Sequence, residues 1–205
     1  MRLTSLRLMA VTIQRHGLGV TWVEQSAMAR AAHGLLDDGR VWLIDPYEDA
    51  EALAVVAELG TPAGVLQLLD RHNRDCERLA RRFDVPLFRL PVEGVGTPFQ
   101  PIPVISSRAW REVALWWAGR ETLVVAEAVG TAPAFALGHR VGVHPMLRLT
   151  PPRKQFAGLE PERLLVGHGQ AIESGADAAL RDALDRSRRD LPRLLLSIPN
   201  LLRGS

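Results

Sequence analysis

Short apolar blocks divided by turn residues fill the first part of the chain. Val20-Thr21-Trp22-Val23 and His33-Gly34-Leu35-Leu36 read as strands, and Val41-Trp42-Leu43-Ile44 follows the turn Asp37-Asp38-Gly39-Arg40. Asp-Gly between two apolar runs predicts a hairpin, because a primed turn needs positive φ and glycine adopts it without steric cost. The apolar stretch from Met1 to Val11 reads as a first strand. Arg7 breaks it and no small-x-small cleavage site follows, so it does not fit a secretory leader.

The period then lengthens to that of a helix. Asp45-Pro46 reads as an N-cap followed by a proline in the first turn, with Ala50, Leu53, Ala54 and Ala57 as the apolar face and Gly60 as the stop. Val65-Leu66-Gln67-Leu68-Leu69 is short enough for a buried strand, and Arg74 to Phe83 carries Leu79, Ala80 and Phe83 at helical spacing. Val85-Pro86-Leu87-Phe88 is extended, and Glu93 to Pro103, with its glycines and prolines, reads as a loop. Val113 to Trp117 and Thr122 to Ala126 predict a second hairpin. Gly138 to Lys154 reads as a basic loop, Leu164-Leu165-Val166 as a strand, and Ala176 to Arg189 as a helix with Ala179, Leu180, Ala183 and Leu184 inward. The tail from Leu191 is expected to dock through its leucines. Hairpins in both halves, with helices between strands, predict an α/β protein.

Composition narrows the function classes. At 205 residues the chain suits one domain spanning 1–205, and 47% hydrophobic with 23% charged residues is the balance of a folded globular protein. A net charge of +2 gives no reason to expect nucleic acid as a partner. No apolar run reaches the roughly 18–20 residues of a membrane helix, so no membrane partner is expected. One cysteine, Cys76, excludes an internal disulfide, and the cytoplasm is the expected compartment. Gly-x-Ser-x-Gly, Gly-x-Gly-x-x-Gly and Walker loops are absent, which leaves serine hydrolases and nucleotide enzymes without support.

Candidate chemistry sits directly after four of the strands, where sheets present groups to ligands. These places are Asp45, the segment Asp70-Arg71-His72-Asn73-Arg74-Asp75-Cys76, Glu127, and Gly167-His168-Gly169. Cys76, in the first turn of a predicted helix, reads as a buried small hydrophobe before it reads as a nucleophile. Trp22, Trp42, Trp116 and Trp117 fall on strands, whereas Trp110 falls in a loop and could wall a pocket. The basic stretch with His139, Arg140, His144, Arg148, Arg153 and Lys154 is either an anion dock or a solvated loop. Arg181, Arg186, Arg188 and Arg189 alternate with Asp182, Asp185 and Asp190, as on an exposed, ion-paired helix face.

In this order, Leu43-Ile44-Asp45-Pro46, the segment from Asp70 to Cys76, Val125-Ala126-Glu127-Ala128 and Val166-Gly167-His168-Gly169 resemble the metallo-β-lactamase fold family over nearly the full length. The resemblance implies a four-layer αββα sandwich of two mixed sheets. It also implies a metal site drawn from Asp70, His72, Asp75, Glu127 and His168, with Asp45 beside it and Arg140, His144 and Trp110 as candidate substrate contacts. In the preferred register His72 takes the family's second histidine position, Asp70 and Asp75 take ligand positions, and Arg74 replaces the family's aspartate. Glu127 stands one methylene longer where the family has a bridging aspartate. The family's mid-chain histidine has no counterpart between Pro98 and Arg111.

Two functions remain open at this stage. In one, a single zinc, manganese or iron ion serves a hydrolase of a small ester, thioester or related bond. In the other, the fold persists without catalysis or metal as a binding or interaction module. His72 and Asp75 would then cap a helix, and Glu127 would pair with an arginine.

Overall fold

The computed structural model describes residues 10–91 and 96–196. Strands β1 (Val11–His16), β2 (Gly19–Glu24), β3 (Ala31–Asp37) and β4 (Arg40–Ile44) form an antiparallel meander. Strands β5 (Thr61–Gln67) and β6 (Leu87–Arg89) extend it in parallel to a six-stranded mixed sheet. The β3–β4 turn has Asp38 at φ 46° and Gly39 at φ 73°, the pair of positive values that Asp-Gly predicts. The first strand expected over Met1 to Val11 lies outside the described residues except at its end; β1 begins at Val11.

Helix α1 (Ala50–Leu59) starts later than expected. Its N-cap is Asp49, whose side chain accepts from the Ala52 amide. The helix therefore buries Ala52, Leu53, Val55 and Val56, while Ala50, Ala54 and Ala57 face out. The larger branched side chains bury more apolar area than the alanines, and they decide which face packs. Helix α2 (Cys76–Phe83) buries Cys76, Leu79 and Ala80.

The second sheet has the order β12-β9-β8-β7. It comprises β7 (Gln100–Ser106), β8 (Arg111–Trp117), β9 (Thr122–Val125) and β12 (Arg163–Val166). Strand β7 falls partly where prolines predict a loop. It is an edge strand, and there Pro101 and Pro103 need not donate to two neighbours. The segment read as the loop 138–154 contains more structure than expected. It holds β11 (Gly142–Val143), which pairs with the preceding strand β10 (Val129–Gly130) across helix α3 (Pro133–Ala136), and the start of helix α4 (Arg153–Phe156).

Alternation along the strands builds the layers. Trp42 and Ile44 of β4 and Val124 of β9 point between the sheets and pack with Leu66, Leu115 and Leu165. Val41 and Leu43 point the other way, onto Ala52, Val55 and Ala80 of α1 and α2. Leu123 and Val125 pack outward on Leu180, Ala183 and Leu184 of helix α5 (Ala176–Arg186). The result is helix, sheet, sheet, helix: the expected four-layer sandwich.

The charged end of α5 is not a solvated face throughout. Asp190 is buried and accepts from both Arg186 and Arg148, and Arg148, with no exposed surface, also donates to the Phe135 carbonyl at 2.6 Å. These arginines fasten the β10–β11 segment to the α5 layer. They were expected on the surface because sequence spacing does not show which charges meet across elements. Among the described residues no helix is long and apolar enough to cross a membrane.

Candidate metal centre

Four strand ends deliver the site. Asp45 follows β4 with φ 43°, an uncommon conformation for a non-glycine residue that turns its carboxylate back over the sheet edge. Oδ1 accepts from the Leu68 amide at 2.9 Å, and Oδ2 stands 2.9 Å from His72 Nδ1. A carboxylate can only accept, so His72 carries a proton on Nδ1, and Nε2 is the ring nitrogen left to serve as a ligand. His72 is 8% exposed and lies in the turn between β5 and α2.

His168 follows β12 between two glycines, and each has a reason. A Cβ at Gly167 would stand 2.1 Å from the Ala126 carbonyl oxygen; one at Gly169, where φ is 106°, would meet Thr131 Oγ1 at 2.1 Å. The His168 carbonyl accepts from the Thr131 and Ala132 amides, and its ring stacks on Phe135 at 5.1 Å. Nδ1 lies 2.9 Å from the Met28 carbonyl, which again requires a proton on Nδ1. Nε2 is buried without a hydrogen-bond partner and stands 3.9 Å from Glu127 Oε1. Burial holds the His168 ring well below the usual imidazole range, so the lone pair stays available at neutral pH.

Glu127 follows β9 and completes the group. One donor atom each from His72, Glu127 and His168 lies within 4.8 Å of the others. Its Oε2 accepts from Arg71 Nε at 3.2 Å and Nη2 at 3.0 Å, leaving Oε1 facing the histidines. Glu112, on β8 and with no exposed surface, sets its backbone: Oε1 accepts from the Glu127 and Ala128 amides, each at 2.9 Å, and Oε2 from Trp110 Nε1 at 3.2 Å. Burial pushes the Glu112 carboxyl up to about 7 against those three bonds.

Beside Glu127 lie two of the three candidate substrate contacts. His144 Nε2 is 3.8 Å from Glu127 Oε1, and its ring packs edge-on against Trp110 at 4.8 Å. Arg71 lies over the Trp110 ring at 4.4 Å. Arg140 is elsewhere, donating to the Ser174 carbonyl beside a groove of about 940 Å³ that none of the three donor residues lines. Asp70 and Asp75 also turn away. Asp70 Oδ2 accepts from the Arg111 amide, and Asp75 Oδ2 from the Glu48 amide, with Arg78 beside it. Neither aspartate is in the cluster: a backbone amide holds one oxygen of each away from it, and the other oxygen of Asp70 is buried without a hydrogen-bond partner among the described residues.

Arg74, which replaces the family's aspartate, donates to the carbonyls of Ala31, Asp45 and Gly167 and so ties three strand ends beneath the site. Cys76 is buried and its thiol is pushed up by burial, which fits packing and not nucleophilic chemistry. Glu112, Arg74 and the Met28 carbonyl were not foreseen. A glutamate inside the apolar run Arg111 to Trp117 was the one readable signal among them.

No protein-family model and no curated sequence matches the chain. Among solved structures, the TMB-1 metallo-β-lactamase superposes with a TM-score of 0.58 at 9% identity, covering 88% of this chain and 98% of that one. The DIM-1 metallo-β-lactamase exposed to ceftazidime gives 0.56 at 12% identity, covering 87% and 97%. A metallo-β-lactamase from Erythrobacter litoralis gives 0.59 at 9%, covering 87% and 92%. The chain has the metallo-β-lactamase fold. Within that fold the cluster occupies the ends of β9 and β12 and the turn after β5, and its residues suit a divalent ion: two imidazoles, each oriented by a second group, and one carboxylate.

Asp45 is expected to matter through His72. Asp45→Asn should weaken zinc binding by about 10–100-fold, since it removes the charge that fixes the ring and raises its basicity. Isothermal titration with zinc checks this; an unchanged affinity would show that the Asp45–His72 bond serves folding alone.

Proposed function

We propose that His72, Glu127 and His168 hold one divalent cation, and that the protein is a metal-dependent hydrolase of a small ester, thioester or related bond. The observation that carries this reading is the unpartnered, buried Nε2 of His168 aimed at Glu127 Oε1. A buried imidazole nitrogen without a partner costs free energy unless a ligand satisfies it. The donor set of nitrogen and carboxylate oxygen suits zinc, manganese or iron. When bound, such an ion supplies Lewis acidity and a coordinated water acidic enough to act as a nucleophile near neutral pH.

The chain's own residues do the rest. Asp45 and the Met28 carbonyl hold the two imidazoles in the ligating tautomer. Arg71 keeps Glu127 Oε2 occupied, so that Oε1 is the oxygen offered. Trp110 and Phe135 flank the group with apolar rings, which limits water access and strengthens every charge interaction inside. The similar proteins bearing the name metallo-β-lactamase support hydrolysis as the reaction class.

One observation favours a second reading. The Arg71 ion pair neutralises Glu127 without any cation, as a binding module that has lost its metal would require. Zinc- or manganese-loaded protein tested on a short-chain nitrophenyl ester and a small thioester separates the two. The hydrolase reading expects turnover that chelator removes and Glu127→Ala lowers at least a hundredfold. Metal-loaded protein no faster than buffer would leave the binding module.

A further inference from the structure

His144 differs from the other two histidines in a way that its hydrogen bonds make explicit. His72 and His168 each face an oxygen acceptor through Nδ1, so their Nε2 atoms present lone pairs. His144 instead accepts at Nδ1, from the Met146 amide at 3.2 Å, so its proton must reside on Nε2. That Nε2–H faces Glu127 Oε1 at 3.8 Å, too far for a hydrogen bond, and has no other acceptor within reach among the described residues. The ring cannot easily turn away. Trp110 and Phe135 pack edge-on against it at 4.8 and 5.4 Å, and its own amide donates to the Ala128 carbonyl at 3.0 Å.

We propose that His144 is the hydrogen-bond donor of this site, not one of its ligands: its fixed Nε2–H is aimed at the oxygen of whatever binds beside Glu127. This rests on the reading of His72, Glu127 and His168 as ion ligands. The group recognised is an oxygen that carries or develops negative charge, such as an ester or thioester carbonyl or an oxyanion. Coordination through Nε2 would require that nitrogen to lose its proton while Nδ1 still accepts from Met146, leaving an imidazolate. A donor role keeps both nitrogens as they are. His144 comes after the carboxylate in the chain, directly following β11, the strand that pairs with β10, so it does not replace the histidine missing before it.

Two measurements test this apart from the parent reading. Long-range proton–nitrogen NMR reports the tautomer of each ring without any metal: His144 should carry its proton on Nε2, and His72 and His168 on Nδ1. Zinc titration of His144→Ala should keep the wild-type stoichiometry, with affinity within about threefold. Titration of the zinc-loaded proteins with inorganic phosphate, as an oxyanion probe, should show about tenfold weaker binding in His144→Ala. His144→Gln, whose amide can still donate, should recover most of that loss. An Nδ1–H tautomer at His144, loss of zinc on His144→Ala, or phosphate affinity equal to wild type would each overturn the proposal. If wild-type protein takes up no zinc, the parent reading fails instead, and the tautomer result still decides which nitrogen of His144 donates.

Discussion

Replacing His168 with alanine is expected to abolish divalent metal uptake while leaving the fold intact. The ring supplies one of three donor atoms and the only one buried with no protein partner at all. With one imidazole and one carboxylate left, the site has too few donors to compete with water. In the wild type, zinc in hundredfold excess over its dissociation constant should stabilise the native state by about 2.7 kcal/mol through mass action. The variant should show no zinc-dependent shift in melting temperature, and its metal-free melting temperature should lie below wild type, because the packing on Phe135 and the bond to the Met28 carbonyl are lost, only partly offset by removal of a buried unsatisfied nitrogen. A zinc-dependent shift retained in His168→Ala would place the ion elsewhere.

A second large effect is expected at Glu112, which touches no donor atom of the cluster. Glu112→Ala strands the Glu127 and Ala128 amides in a site closed to solvent and leaves a hole beside Trp110. Together these should cost about 3–5 kcal/mol, read as a lower urea midpoint. A loss under about 1 kcal/mol would mean that those amides find other partners. The pH dependence carries a definite sign. The Glu112 carboxyl is held at about 7 when folded, against an ordinary value of 4.5, so the folded state retains a proton that the unfolded chain has released. Its contribution is therefore greatest below the ordinary value and is lost as pH rises toward 7. Glu112→Gln should flatten that slope in a plot of stability against pH.

These two residues mark the boundary of what the chain shows before its structure is known. His168 is legible because a histidine between two glycines after an apolar strand carries a local signature, and both glycines answer to close backbone contacts. Asp45 was legible twice, as a strand-end carboxylate and as a helix cap. It serves only in the first role: the helix begins at Ala50 with Asp49 as its cap, and the Asp-Pro pair terminates the strand. The α/β class could be read from the apolar blocks, the helical spacings and one Asp-Gly turn, whereas the two-sheet sandwich followed only from the family resemblance. The β7 strand could not, because its prolines signal a loop unless the strand is known to be an edge.

The side-chain assignments failed where pairing is long-range. Asp70 and Asp75 have ligand-like spacing, yet one oxygen of each is held by the amide of Arg111 or Glu48, residues distant in sequence, and neither carboxylate reaches the cluster. Arg148 and Asp190 read as solvated charges for the same reason: the partner that buries each is 42 residues away. Which of several carboxylates turns inward depends on backbone donors that no local pattern records. His144 could be named as a candidate, but its tautomer, and hence its role, follows only from the Met146 amide.

Three residues of this metallo-β-lactamase-like sandwich are proposed to hold one cation. Native mass spectrometry of protein stripped by chelator, dialysed, and titrated with zinc measures this directly. One zinc per chain, lost in both His72→Ala and His168→Ala, is the predicted result; no retained zinc, or two ions per chain, would contradict it.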